Sequence, residues 1–200
     1  MKKSICAALA AAAVAILIVF SADAQSVVST FKDSRDGKTY RTVKIDKMVW
    51  MAENLNFAAE GSKCYDNKAE NCAIYGRLYN WDTALKACPG GWSLPSDDEW
   101  TVLENAVGGR SIAGTKLKSA AGWNEDGNGT NDYGWSALPG GNGDSGGDFS
   151  IAGYLGSWWS ATEYDASGAW GWYMYYNSEY ANGYYDFKTS LFSVRCVKDE

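Results

Sequence analysis

Histidine is absent from the 200-residue chain. That absence removes the commonest general base and the commonest metal ligand together, and it leaves Ser96, Ser160 and Ser193 without an imidazole to activate them. A basic surface is missing too. The net charge of −6 argues against nucleic acid or an anionic lipid surface as a partner. Nor does a second long apolar run follow the one at residues 5–20, so nothing later in the chain has the ~20 apolar residues of a bilayer span.

The one apolar run has the form of a secretory signal. Lys2 and Lys3 precede it, and Ala22-Asp23-Ala24 closes it as an A-x-A cleavage site. The run is short for a membrane anchor and no basic stop follows, so no transmembrane anchor is expected after cleavage. Residues 1–24 are thus read as a signal peptide, 25–32 as a short polar leader, and 33–199 as a single domain large enough for its own core. A secreted, periplasmic or cell-surface protein follows.

Without Cys6, which falls inside the signal, the cysteines are Cys64, Cys72, Cys88 and Cys196. An even number in an exported chain reads as two disulfides. Three pairings can be drawn. The local one is favoured, because "CYDNKAENC" joins Cys64 and Cys72 through a short polar loop and leaves Cys88 for Cys196. A zinc site would need closely spaced Cys or Cys/His pairs that the chain does not have.

Extended segments open the domain, with turns expected at Asp36-Gly37 and Asp46-Lys47. Two helices come next. In "NWDTALKACP", Asn80 can cap the start, Trp81, Ala84, Leu85 and Cys88 fall on one face, and Pro89 stops the helix. In "SDDEWTVLENAVGG", Ser96 and Glu99 form a capping box ahead of a buried stripe of Trp100, Leu103 and Val107. Residues 122–147 are rich in Gly, Asn and Asp and read as a long loop region around "YGWSALPGG". Short strands are expected at 156–161, 169–177, 183–188 and 192–197. Strands, helices, loops, then strands again make an α+β chain.

A helix with an inward Cys, a second helix after "GWSLPSDDEW", long loops and a last strand carrying a Cys back to the first helix resemble the C-type lectin-like fold. That resemblance implies two helices packed on antiparallel sheets, with long irregular loops and two disulfides. The motifs "YGRLYNWDTALKACPGGWSLPSDDEW", "YGWSALPGG", "WWSATE" and "FSVRCVKD" together resemble the Fibrobacter succinogenes major paralogous domain family, across nearly the whole mature chain. The family is related in fold to the formylglycine-generating enzyme group, and the resemblance implies an exported bacterial domain without an established activity. Oxidase members of that group use paired active-site cysteines, whereas the favoured pairing here assigns each mature cysteine to a structural bridge. The calcium motifs of sugar-binding C-type lectins, E-P-N or Q-P-D with W-N-D, are missing as well. Neither chemistry carries over, and a degenerate relative of the enzyme group is the third reading of function.

Within "NEDGNGTNDYGW", Asn124, Asp126, Asn128 and Asp132 occupy alternating oxygen positions of an EF-hand-like loop, which could hold a structural calcium ion. Trp135 stands where the bidentate Glu belongs, and the same residues also make ordinary turns. No other cofactor is expected. Glu163, Asp165, Glu179 and Asp186 are available for glycoside hydrolysis, but no spacing sets an acid against a base. The chain is read as non-catalytic.

Aromatic residues crowd the stretch from Trp158 to Phe187. Trp158, Trp159, Trp170, Trp172 and Phe187 are read as core. "YNSEYANGYYD" has the composition of an adaptable contact surface, Tyr for rigid area and Ser, Asn and Gly for hydrogen bonds, with Ala181-Asn182-Gly183 as a hairpin reversal. The expected ligand-binding residues are Tyr173, Tyr175, Asn177, Glu179, Tyr180, Asn182, Tyr184 and Tyr185. An extracellular polysaccharide is the expected partner, and an envelope protein the alternative.

Overall fold

The computed structural model describes residues 28–199. The expected signal peptide, 1–24, and residues 25–27 lie outside the described residues. β1 (Val28–Lys32), β2 (Thr39–Ile45) and β3 (Met48–Met51) form an antiparallel meander. Residues 28–32, expected as leader, are therefore a paired strand. The first turn is built by Asp33, whose carboxylate accepts from the backbone and guanidinium of Arg35, and by Gly37 at φ 77°. The second contains Asp46 at φ 54°, a conformation Asp tolerates better than most side chains. Both turns fall where the sequence places them.

Arg35 holds the Asp33 carboxyl below its ordinary value of 3.8. A carboxylate whose folded pKa is depressed adds stability above the unfolded value and loses it as pH falls through the folded one. Asp33→Asn is therefore expected to cost about 1–3 kcal/mol at neutral pH. It should also shrink the loss on acidification below ~4, with urea midpoints at the two pH values as the measurement.

α1 (Ala69–Tyr75) lies between the meander and β4 (Leu78–Tyr79), and α2 (Trp81–Ala87), α3 (Asp97–Ala106) and α4 (Arg110–Leu117) follow. The described residues hold four α-helices rather than the expected two. α1 occupies what the sequence suggests is a polar loop; among its residues only Cys72 is buried, so it carries no apolar periodicity to detect. α4 has no side-chain cap and begins at Gly109, φ 91°, which reads as a helix stop. In α2, Asn80 caps by accepting from the Thr83 N–H at 2.9 Å. Its buried residues are Trp81, Ala84 and Ala87, while Leu85 faces outward and Cys88 is already extended beyond the helix end. The expected Leu85 and Cys88 face is thus displaced. α3 has the full capping box, and Trp100, Leu103 and Val107 point inward.

β5 (Asn142–Gly143) and β6 (Phe149–Ser150) make a small pair in the long-loop region. β7 (Leu155–Glu163), β8 (Gly168–Tyr175), β9 (Asn182–Phe187) and β10 (Phe192–Ser193) then join β4 in a five-stranded sheet of order β4-β10-β7-β8-β9. The single strand expected at 192–197 is two. β10 belongs to that sheet, but β11 (Val197–Asp199) pairs with β3 in the other, and Val194, Arg195 and Cys196 cross between them.

The five-stranded sheet is covered on both faces. Trp50, Trp100, Trp135, Trp158 and Trp172 form one aromatic array, with ring centroids 5.2 to 6.4 Å apart in the contacting pairs. Trp159, Tyr173 and Phe192 face the second cluster, with Tyr79, Trp81 and Val194. This double burial explains why β8 is apolar on both sides. Trp158, Trp159 and Trp172 are core, as expected, whereas Trp170 is only half-buried and Phe187 is 68% exposed.

Disulfides join Cys64 to Cys72 and Cys88 to Cys196, with Cα atoms 4.9 and 5.8 Å apart. The second ties the end of α2 to the crossing segment. No helix among the described residues is long and apolar enough to cross a membrane.

Candidate functional site

The turn between β7 and β8 is held by one carboxylate. Oδ1 of Asp165 accepts from the N–H groups of Ser167 and Gly168, each at 2.7 Å, and from the Ser167 hydroxyl at 3.0 Å. These donors keep its carboxyl below the usual carboxylate range. The turn sets Tyr164 against β9. Its ring lies 4.1 Å from that of Tyr185 at an interplanar angle of 6°, and Tyr184 stacks on Tyr185 at 4.9 Å. Trp170 meets Tyr164 edge-on at 5.6 Å, bracing the stack from the sheet.

Successive residues of a strand normally point to opposite faces. β9 is the edge strand, so no further strand separates Tyr184 from Tyr185, and their rings meet at the open edge. Tyr184 is 61% exposed. Beside the stack is a recess of about 270 Å³. Tyr184, Tyr185 and Phe187 wall it, and Asp165, Ser167 and Asp186 supply polar atoms. Asp186 is itself fixed: Oδ1 accepts from the Phe187 N–H and the Ser190 hydroxyl, and Oδ2 from the Tyr173 hydroxyl at 3.4 Å. Burial in the sheet pushes the Tyr173 phenol well above its ordinary value.

A second exposed surface lies at the other end of the β8–β9 pair. Residues 176–181 form a docked loop. The buried Lys118 ammonium donates to the carbonyl oxygens of Tyr175, Tyr176 and Ser178 at 3.0 to 3.3 Å, and burial pulls its amine below the ordinary value. The Thr115 N–H donates to the Glu179 carbonyl at 3.2 Å. Gly114 of α4 lies flush against the Tyr180 carbonyl, where a Cβ would collide, so only glycine lets the loop seat there.

The family model described as the Fibrobacter succinogenes major domain matches residues 43–198. The chain belongs to this family. No curated protein and no solved structure matches it. In this Fibrobacter succinogenes major domain the matched span takes in both disulfides, the tyrosine stack and the Lys118 loop, and leaves out β1.

The domain divides the expected ligand-binding residues. Tyr173 is buried, with its side chain in the second core cluster. Tyr175, Asn177, Glu179 and Tyr180 are exposed on or next to the docked loop. Asn182 lies in β9, where its Oδ1 accepts from Arg110 at 2.9 and 2.7 Å. Tyr184 and Tyr185 belong to the stack, away from Tyr180. The reversal expected at Ala181-Asn182-Gly183 does not occur: Ala181 is buried, and Asn182 and Gly183 already pair with Tyr173 and Trp172. Asn-Gly favours a tight hairpin, but the contacts of Lys118 and α4 place the turn earlier, at Tyr176 and Asn177.

Tyr164 and Ser167 are the site residues that sequence reasoning passes over, and Phe187, read as core, lines the recess instead. Tyr164 immediately precedes the turn sequence Asp165-Ala166-Ser167-Gly168, and that position is the signal that could mark it. Of the expected calcium ligands, Asn128 uses Oδ1 to accept from the Trp123 N–H at 3.0 Å, and the Asn124 carbonyl accepts from Gly127 at 2.9 Å. Asp126 and Asp132 are exposed, and among the described residues no three acidic, Cys or His side chains gather in a metal-holding group. Among the acidic residues considered for hydrolysis, Glu163 pairs with Lys188, while Asp165 and Asp186 share the recess.

Proposed function

We propose that this domain is an exported, non-catalytic recognition module of C-type lectin-like fold that binds an extracellular polysaccharide. The α+β element order, the Cys88–Cys196 bridge from a helix end to the closing segment and the long-loop region support that fold. Two disulfides suit an oxidising compartment: secreted, periplasmic or at the cell surface.

One observation carries the reading. Tyr164, Tyr185 and Tyr184 form an ordered stack of exposed rings, braced by Trp170, in a chain that buries most of its tryptophans. Exposed apolar area gathered in one place marks an interaction surface, and tyrosine offers rigid amphipathic area at low entropic cost. Sugar rings present flat C–H faces to such a platform, and the fixed polar atoms of Asp165, Ser167 and Asp186 can meet their hydroxyls. The open edge of β9 favours a second reading, an envelope protein that adds a strand there.

Tyr184→Ala with Tyr185→Ala is expected to abolish retardation in polysaccharide affinity electrophoresis and signal on a glycan array. Tyr180→Ala, on the separate loop, should leave both unchanged. Undiminished glycan binding by the double variant would sink the proposal, and capture of an envelope protein with no glycan signal would favour the edge-strand reading.

A further inference from the structure

The charges that line the recess are one-sided. Asp165 and Asp186 are the ionisable carboxylates of the recess, and neither Lys nor Arg lines it. Lys188 is the nearby cation: its ammonium donates to Glu163 at 2.5 Å and to the Ala166 carbonyl of the same turn at 3.2 Å, sits over the Trp81 ring, and adds a minor pull on Asp165, but it does not line the recess. The three hydrogen bonds that Asp165 accepts all fall on Oδ1. Oδ2 is left to accept from a ligand while the turn stays closed.

Aromatic faces carry the negative lobe of the ring quadrupole and attract cations. A wall of tyrosine rings with carboxylates at its foot is therefore complementary to a positive group, and unfavourable for uronic or phosphorylated polymers. At about 270 Å³ the recess is below the ~300–1,000 Å³ of pockets for drug-sized ligands, which suits a single sugar ring. Resting on the polysaccharide reading, we infer that the recess between Asp165, Asp186 and the Tyr184–Tyr185 stack is a subsite for an amino sugar bearing a free ammonium group. The sugar face lies on the exposed outer ring of the stack, Tyr184, and the ammonium faces Oδ2 of Asp165, with Asp186 adding to the negative field.

The test compares glucosamine oligomers with their N-acetylated counterparts by titration calorimetry on the mature chain. The free-amine form is expected to bind about tenfold more tightly, a margin of the size that cation–π and ionic contacts give. Added salt should shrink this margin, because the contact is exposed and screened. Asp165→Asn keeps an oxygen for the N–H groups of Ser167 and Gly168 while removing the charge, and it should bring the two oligomers near parity. Circular dichroism reports whether that variant keeps its fold; if it does not, the salt dependence of the unaltered protein decides. Equal binding of both oligomers would overturn the amino-sugar subsite and leave the polysaccharide reading standing. So would tighter binding of a uronic polymer. Binding of no saccharide at all would overturn the reading beneath it.

Discussion

Arg195→Ala is expected to destabilise the domain by about 3–5 kcal/mol, from orphaned buried oxygens and the cavity it leaves, read as a fall in the urea unfolding midpoint. The guanidinium is wholly buried in the segment that crosses between the sheets. It donates to Asn54 Oδ1 from two nitrogens, to the carbonyls of Met51, Trp135 and Ser136, and lies 3.9 Å from the Trp135 ring centre. Burial pulls its pKa down to about 9, so it is still a cation at neutral pH. All these acceptors are neutral. Their number and the aromatic face hold the charge where a carboxylate would otherwise be needed.

Truncation removes that cation, but it also orphans buried oxygens, each worth about 1–3 kcal/mol when left unpaired, and opens a cavity beside the tryptophan array. Asn54 suffers least, because Trp158 Nε1 also donates to its Oδ1 at 2.9 Å. Arg195→Met should recover the volume and little of the polar loss. A cost below ~1 kcal/mol for the alanine variant would show that water or a repacked neighbour satisfies those carbonyls.

Paired replacement of Cys88 and Cys196 by Ala should cost at least as much. The bridge spans 108 residues, and in the chain-entropy account a loop of that length is worth about 4–5 kcal/mol. The Cys64–Cys72 bridge spans only 8 residues, so its removal should cost roughly half that. Denaturant midpoints of the two paired variants, compared with the wild type with both bridges intact, give the order. Equal losses would mean that local strain or contacts, not loop length, set the worth of each bridge. Since Cys196 adjoins Arg195, the two large effects should not add.

Of the tyrosine surface, the residue types were legible in the sequence and their grouping was not. "YNSEYANGYYD" marks a run that can make contacts, yet it is cut in two. Lys118 and Gly114 dock its first half against α4, and Tyr164 stacks on Tyr185, which carries Tyr184 on it, further along β9. Both partners come from other parts of the chain, and no spacing within the run announces them.

The sequence by itself determined the features whose chemistry closes within a few residues. The Asn80 cap, the Ser96–Glu99 box, the turns at Asp36-Gly37 and Asp46-Lys47 and the local Cys64–Cys72 bridge all satisfy nearby backbone or short-loop constraints, so they are where the residues say they are. Size put Trp158, Trp159 and Trp172 in the core, but it put Trp170 there too, and Trp170 is only half-buried. Only the tertiary structure decided that Leu85 and Phe187 face outward, that α4 forms without a cap, and that the last strand divides between two sheets. Burial depends on what packs over a residue. Phe187 is exposed because the strand order leaves β9 at an edge with nothing beyond it, and strand order is a property of contacts between distant segments.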